Sequence, residues 1–382
     1  GRPMTSRERF FISIRGGTPD RVPVAPDISN YIPVKRTGRP FWEVYFEDAV
    51  PLWRAYLEAA DHFGLDMWVA SCAGIPAEVD QDAGPEERVV FDESRDAMIR
   101  ERVWHTAEGT IEARDICFRN DPPTHLERPI KSIERDWPAF RELISVPQRL
   151  DRESVAEIRK EVRERDQAFG LGLGYPGFQQ WEGAVEGSIE ALSYAFMDTP
   201  HILDEWHEID LERGTRLLEA FLTESPDYVL FGGSGTLTMA SPELARRYAL
   251  PAIKLWSRMC RDAGVATMLH SCGRSRELVD MLVEETHVDC INPLEVPPMG
   301  DIDLGEVKRA RGERIALMGN LHTTALMLHG TPEQVFDAAC EAIRAAGSGG
   351  GFILSTGDQC PPGTPDENLF ALHRAVEAVG HY

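Results

Sequence analysis

The chain has 382 residues, 42% of them apolar and 27% charged, an ordinary globular composition with ample material for a large core. Its 63 acidic and 40 basic residues leave a net charge of −23, which repels nucleic-acid phosphates and gives no general attraction to anionic membranes. No run of apolar residues is long enough to predict a transmembrane helix.

The opening "GRPMTSRERF" lacks the apolar core of a signal peptide, and Met4 reads as the native first residue after a cloning remnant. The seven cysteines are scattered and odd in number, which does not fit a secreted disulfide framework. The expected compartment is a reducing cytoplasm, where thiols stay free or bind metal. Cys72, Cys117, Cys260 and Cys340 are read as small buried apolar residues.

In chain order, "RVPVAPDI" (21–28) predicts a first strand entering a Pro-rich loop. A helix over 41–64 is interrupted or restarted at Pro51, and "DMWVAS" (66–71) predicts the second strand. Residues 85–150 break the rhythm. "ERVVFDES", "AMIRERVWHT" and "GTIEARDICF" predict β-ribbon segments, and "DPPTHLERP" a Pro-rich loop. This span reads as an insertion without a second core, inside a single domain covering 1–382.

Six more apolar runs follow: "AFGLGLG" (168–174), "DYVLFGG" (227–233), "VATMLHSC" (265–272), "DCINPLE" (289–295), "RIALMGN" (314–320) and "GFILSTG" (351–357). Helices are predicted around 187–198 and 200–223, then at 241–264, 274–286, 303–311, 331–346 and 365–378. Ser241 is the expected N-cap of the helix at 241–264, with Pro242 in its first turn and Gly264 at its stop. Strand–helix units with nearly continuous apolar strands imply a parallel sheet buried on both faces. Eight of them favour an α/β fold of the (β/α)8 TIM-type barrel, with a β-ribbon inserted after the second strand. An open doubly wound sheet is the alternative, but "LGLGYPG" (171–177) lacks the G-x-G-x-x-G spacing of a dinucleotide site. "GGSGTLTMASPE" (232–243) lacks the Lys-Ser/Thr ending of a P-loop and reads as a helix-capping loop.

In such a barrel the chemistry sits where the strands end. His270 and Cys272 stand two apart in extended chain, so both point the same way. Cys360 follows the last strand after 87 intervening residues. Imidazole and two thiolates suit zinc, and three protein ligands with one open position describe a catalytic site. Against this stands the bland reading, in which a lone His-x-Cys arises by chance and a buried cysteine is only apolar filling. Glu295, Asn320, His322 and Asp358 also follow strands and are candidate catalytic groups. Their ordinary reading is a cap or loop hydrogen bond, as it is for Tyr175, Ser234 and Thr236. Glu295 could equally be a fourth zinc ligand, a hydrogen-bond partner of a ligand or a base.

The segments "SPELARRYALPAIKLW", "HSCG", "INPLE", "LMGNLHT" and "STGDQCPPGTPDEN", in this order, resemble the uroporphyrinogen decarboxylase superfamily. The likeness covers the chain from about residue 226 onward; upstream it is limited mostly to "RERFFISIRGGTPDRVPV". It implies the same barrel fold. One branch of the superfamily decarboxylates a porphyrinogen without metal. The other, which includes coenzyme M methyltransferases, carries a zinc motif His-x-Cys…Cys, onto which His270, Cys272 and Cys360 fall. The Arg-Gln-Ala-Gly-Arg stretch of decarboxylases is missing; the region reads "PDISNYIPVKRTGRPFW", with only Lys35, Arg36 and Arg39 as cations. The decarboxylase pattern Gly-Asn-hydrophobic-Asp also departs here, with His322 in place of Asp.

The resemblance therefore implies a zinc-dependent methyltransferase acting between a small methyl donor or thiol and a corrinoid. No Asp-x-His-x-x-Gly corrinoid motif occurs, so the corrinoid belongs to a separate partner protein. Demethylation of the small substrate is the expected direction, and a homodimer is admitted. The rivals are a metal-free decarboxylase and a non-catalytic zinc-stabilised binding protein. In the latter, Glu295 or Cys290 would close a four-ligand site.

Overall fold

The computed structural model describes residues 2–382. At its centre lie six parallel strands: β1 (Gly170–Gly174), β2 (Tyr228–Gly232), β3 (Ala266–His270), β4 (Cys290–Asn292), β5 (Ala316–Leu321) and β6 (Phe352–Thr356). Each pairs with the next in chain order. Helices return the chain between them, among them Leu250–Asp262, Arg276–Glu285, Leu304–Arg311 and Pro332–Ala346, and Asp366–Val379 follows β6. β3 to β6 are buried along almost their whole length, as a parallel sheet covered by helices requires.

Both edges of the sheet are carried further. Beyond β6, Leu354 N–H donates to Pro23 C=O and Ala25 N–H to Leu354 C=O. Beyond β1, Ile75 N–H donates to Gly172 C=O and Gly172 N–H to Ala73 C=O. These two outer segments meet through Asp66 N–H and Val24 C=O, 3.0 Å apart. The sequence predicts full strands at 21–28 and 66–71; the structure pairs the first through single bridges only, and turns the chain at Val69–Ser71. Pro23 and Pro26 have no N–H to give, so a continuous ladder cannot form there.

The local signals act as expected elsewhere. The predicted helix over 41–64 is Phe41–Tyr45 and Leu52–Phe63, parted before Pro51. Ser241 Oγ accepts from Leu244 N–H, and Gly264 adopts φ +72° past the helix end.

Residues 86–127 form a four-stranded antiparallel sheet, Glu86–Asp92, Ala97–Thr106, Gly109–Phe118 and Thr124–Glu127. The last strand falls where a loop is expected from "DPPTHLERP", which spans 121–129: Pro122 and Pro123 end the turn, and the Thr-His-Leu-Glu behind them pairs with the preceding strand. Two small clusters also stand beside the main core where none is expected. One joins Cys117 to Val34, Phe41, Trp42 and Val44, and the other gathers Trp137, Trp181, Trp206 and Tyr248. Aromatic side chains scattered over distant segments build them, which is why local polarity conceals them. No helix among the described residues is long and apolar enough to cross a membrane.

Candidate metal centre

The C-terminal edge of the sheet collects polar side chains. Parallel pairing puts His270 level with both Gly232 and Asn292. Gly232 leaves room beside the imidazole. Asn292 meets it, with Oδ1 2.6 Å from His270 Nδ1. An amide oxygen can only accept, so Nδ1 carries a proton and Nε2 is the nitrogen left for other partners. Nε2 lies 3.8 Å from an Asp358 oxygen.

Two residues on, Cys272 Sγ accepts a 3.2 Å hydrogen bond from Gly235 N–H. Glu295 follows Leu294, whose φ is +63°, and its Oε1 accepts from Gly273 N–H at 2.7 Å. Asp358 lies just past β6 at φ +102°, outside the ordinary range of a side-chain-bearing residue. Donor atoms of Cys272, Glu295 and Asp358 all lie within 4.8 Å of one another, the one such group of three among the described residues.

Burial and charge crowding tune the group. Burial raises the Glu295 carboxyl, and the Asp358 charge adds to this against the Gly273 amide. Asp27, at the end of the segment outside β6, is wholly buried, and burial followed by the Asp358 charge raises it. Burial alone would lower His270. The hydrogen bond with Cys272, the charges of Asp358 and Asp27 and the Asn292 bond outweigh it, pushing the imidazole up to about 9. Such crowding of anionic groups around an imidazole calls for a cation. A sulfur, two carboxylate oxygens and an imidazole with its far nitrogen already anchored fit a zinc ion.

His270 and Cys360 both stand outside the group of Cys272, Glu295 and Asp358: His270 approaches it through Asp358 at 3.8 Å, and Cys360 is fully buried. Burial pushes its thiol up, the Asp27 charge adds to this, and a hydrogen bond with Thr356 opposes it. The remaining expected site residues hold the frame. Asn320 gives its Nδ2 hydrogen bond to Leu294 C=O (2.9 Å), bracing the turn before Glu295. His322 Nδ1 accepts from Thr324 N–H and Ala325 N–H, capping the turn Thr323–Leu328. This leaves its Nε2–H for the opening. Tyr175, buried, shares a hydrogen bond with Thr236, the ordinary loop role expected of both.

Two cavities meet at this group, of about 500 Å³ and 510 Å³, and Asp358 and Gln359 line both. The first is bounded by Asp27, Asn30, Gln180 and His270, the second by Cys272, Glu295, Met299 and His322. Asp27, Asn292 and Gln359 escape a reading of the sequence. Asn292 could have been found from the register of two adjacent strands, and Asp27 from its place at the end of the first apolar run.

Residues 184–379 match the family model described as uroporphyrinogen decarboxylase (URO-D). Over 210 residues the chain is 27% identical to a methylated-thiol–coenzyme M methyltransferase of Methanosarcina mazei, covering 50% of this chain and 52% of that protein. A methylcobamide:CoM methyltransferase of the same organism is 29% identical over 191 residues, 48% of this chain and 49% of that one. A uroporphyrinogen decarboxylase of Anaeromyxobacter is 26% identical over 241 residues, 59% and 62% of the two. The chain thus spans about half of the length of the methyltransferases it matches. A solved methyltransferase structure from Methanosarcina mazei superposes with a TM-score of 0.68 over 98% of this chain and 99% of that one, at 18% identity, which shows the shared fold.

Proposed function

The chain belongs to the uroporphyrinogen decarboxylase (URO-D) family, and from that premise we propose that it is a zinc-dependent methyltransferase. It would move a methyl group between a small methylated substrate and a corrinoid carried by a separate protein, in the demethylating direction. The observation that carries this reading is the convergence of Cys272, Glu295 and Asp358 within 4.8 Å beside His270. A porphyrinogen decarboxylase needs guanidinium groups for many carboxylates. No arginine or lysine lines either cavity.

We read the architecture as a single (β/α)8 barrel with the sheet at 86–127 inserted into it. The reading is supported by the hydrogen bonds that link the outer segments to both sheet edges and to each other. The ion would be held by three donors, His270, Cys272 and Cys360, leaving the fourth position for the substrate heteroatom and Glu295 and Asp358 beside it. Cys360 enters on the chemistry of a second sulfur on the same loop as Asp358, not on its position. Bound zinc supplies Lewis-acid polarisation of the substrate heteroatom.

The chain's own groups do the rest. Asn292 fixes the His270 ring, and the Gly235 amide fixes the Cys272 sulfur. Asn320 braces the turn that delivers Glu295. His322 lines the second cavity, and its Nε2–H is placed to donate a hydrogen bond to the heteroatom that loses the methyl group, whose proton then comes from solvent. The cavities open onto one mouth over which the corrinoid partner would dock. An open donor group of this kind argues against a closed structural zinc site.

Metal analysis and cobalt spectroscopy test the reading together. About one zinc per chain is expected, as is a spectral change of cobalamin or a corrinoid protein with a methyl donor. Protein that neither retains zinc nor alters the cobalt spectrum with any small methyl donor or thiol would overturn it.

A further inference from the structure

Resting on the methyl-transfer reading, we infer that the small molecule handled at this site carries no negative charge on its non-methyl part, which is neutral or cationic and hydrogen-bonding. The inference comes from what surrounds the donor group. Across both cavities the lining offers amides, hydroxyls, main-chain groups and carboxylates, but no lysine or arginine. His270 and His322 are the only basic side chains there. The first has Nδ1 committed to Asn292 and Nε2 set against the Asp358 carboxylate at 3.8 Å, and the second has Nδ1 committed to two backbone amides. An anionic tail entering the first cavity would lie against Asp27 and Asp358. In a partly enclosed space that repulsion is stronger than in water.

Positive charge lies in the neighbouring spaces: Arg344, exposed, lines a cavity that adjoins the second one at Val296, Asn320 and His322, and two further cations are walled off from the first. A separate cavity of about 590 Å³ is lined by Tyr31, Lys35, Arg36, Phe41 and Thr364. Its walls are the helix Tyr31–Arg36 and the chain past Cys360, the direct continuations of the segments that line the first cavity. Between the two stands a hydrogen-bonded partition. Gln359 Oε1 accepts from Asn30 N–H (2.8 Å) and from the Ser29 hydroxyl (3.3 Å), and the Tyr45 hydroxyl donates to Asn30 Oδ1 (2.8 Å). Lys35 and Arg36 therefore border the neighbouring space and not the one that holds the donors.

What the first cavity does offer is neutral recognition. Gly174 and Gly232, the last residues of β1 and β2, leave it open. A side chain at Gly174 would meet the Gln180 amide oxygen at 2.6 Å, so the small residue keeps that amide seated at the rim. A volume of about 500 Å³ suits a small molecule bound by a few placed polar groups. Methyl ethers, thioethers and methylated amines with hydroxyl, amide or ammonium ends meet these conditions. Carboxylated or sulfonated thiols and polycarboxylate macrocycles do not.

The test uses the zinc-loaded full chain and three thiols of equal reach that differ at the far end. These are 2-mercaptoethanol, cysteamine and 2-mercaptoethanesulfonate, with affinities read by calorimetry. The neutral or cationic thiol is expected to bind at least about tenfold more tightly than the sulfonate, a gap set by unpaired like charge. In Gln180→Lys, which adds a cation at the rim and removes no donor, the sulfonate is expected to become the tightest of the three. Equal or tighter binding of the sulfonate to the unmodified chain would overturn the inference. So would an absence of binding by all three, or an unchanged ranking in the variant. Cobalt spectroscopy run alongside separates the two ideas. A silent cobalt spectrum with the ranking intact removes methyl transfer and leaves the charge selectivity. A responsive spectrum with the ranking reversed removes the selectivity alone.

Discussion

His270 and Asn292 stand side by side on adjacent parallel strands, and the Asn292 amide oxygen holds His270 Nδ1 at 2.6 Å. The pairing fixes which imidazole nitrogen is free, because the amide oxygen can only accept. Asn292 Nδ2 has no partner of its own, so the amide serves the histidine alone. Asn292→Ala is expected to leave the fold intact and to weaken zinc binding about 10- to 100-fold, the usual effect of losing an outer partner of a metal-bound histidine. Competition with a chromophoric chelator measures this. Zinc affinity equal to that of the unmodified chain would show that His270 is not a ligand or needs no support.

The choice of third donor separates sequence from position. Cys360 has the expected chemistry, whereas Asp358 and Glu295 have the observed proximity to Cys272. Zinc is expected to be lost from Cys272→Ala and to become substoichiometric after dialysis in Cys360→Ala, with Asp358→Asn still loaded. The opposite pattern, in which Cys360→Ala keeps its zinc and Asp358→Asn or Glu295→Gln loses it, would give the site to the carboxylates. Metal analysis of the four dialysed proteins decides.

His322 combines a cap and a proposed hydrogen-bond donor in one ring. Its Nδ1 accepts from two backbone amides, and its Nε2–H is left for the second cavity. Asn is a good N-cap, so His322→Asn keeps an acceptor for Thr324 and Ala325 while removing the distant donor. Methyl transfer followed by cobalt absorbance is expected to slow by about 10²- to 10³-fold, with thermal stability and zinc content kept. An unchanged rate would confine His322 to its structural role.

Much of this arrangement follows from local chemistry. The alternation of apolar runs and amphipathic stretches marks β1 to β6 and their helices, because a sheet covered on both faces needs uninterrupted apolar strands. Ser241 with Pro242, the break at Pro51 and the stop at Gly264 are signals of one or two residues, and each operates as its chemistry dictates. His270 and Cys272 share a side because extended chain repeats every two residues. Other features depend on contacts far apart in the chain. Glu295 and Asp358 reach Cys272 through loops at positive φ, and no periodicity encodes that. The cluster of Trp137, Trp181 and Trp206 joins three segments, of which the sequence marks only the one at 200–223 as a helix; Ile133–Ile144 and Phe178–Trp181 are helices it does not reveal. The first two strands look complete in sequence, and prolines thin one of them to single bridges.

That aromatic cluster holds a carboxylate whose titration bears on stability. Asp210, on the helix Pro200–Leu222, accepts from Trp181 Nε1 at 2.7 Å. Burial raises its pKa from 3.8 to about 6, against the opposing effects of the Trp181 hydrogen bond and the Arg213 charge. The folded-state value is the higher one, so between about pH 4 and pH 6 the native state holds a proton that the unfolded chain has released. Stability must then fall as pH rises through this window, since the native state binds more protons. Asp210→Asn keeps an acceptor for Trp181 and does not titrate. Relative to that variant, the unmodified chain is expected to lose on the order of 2 kcal/mol between pH 4 and pH 7, with most of the change complete by pH 6. Denaturant unfolding of both proteins across this range measures the difference. A stability gap that stays constant with pH would mean that Asp210 ionises at its ordinary value, and that Trp181 and Arg213 offset its burial in full.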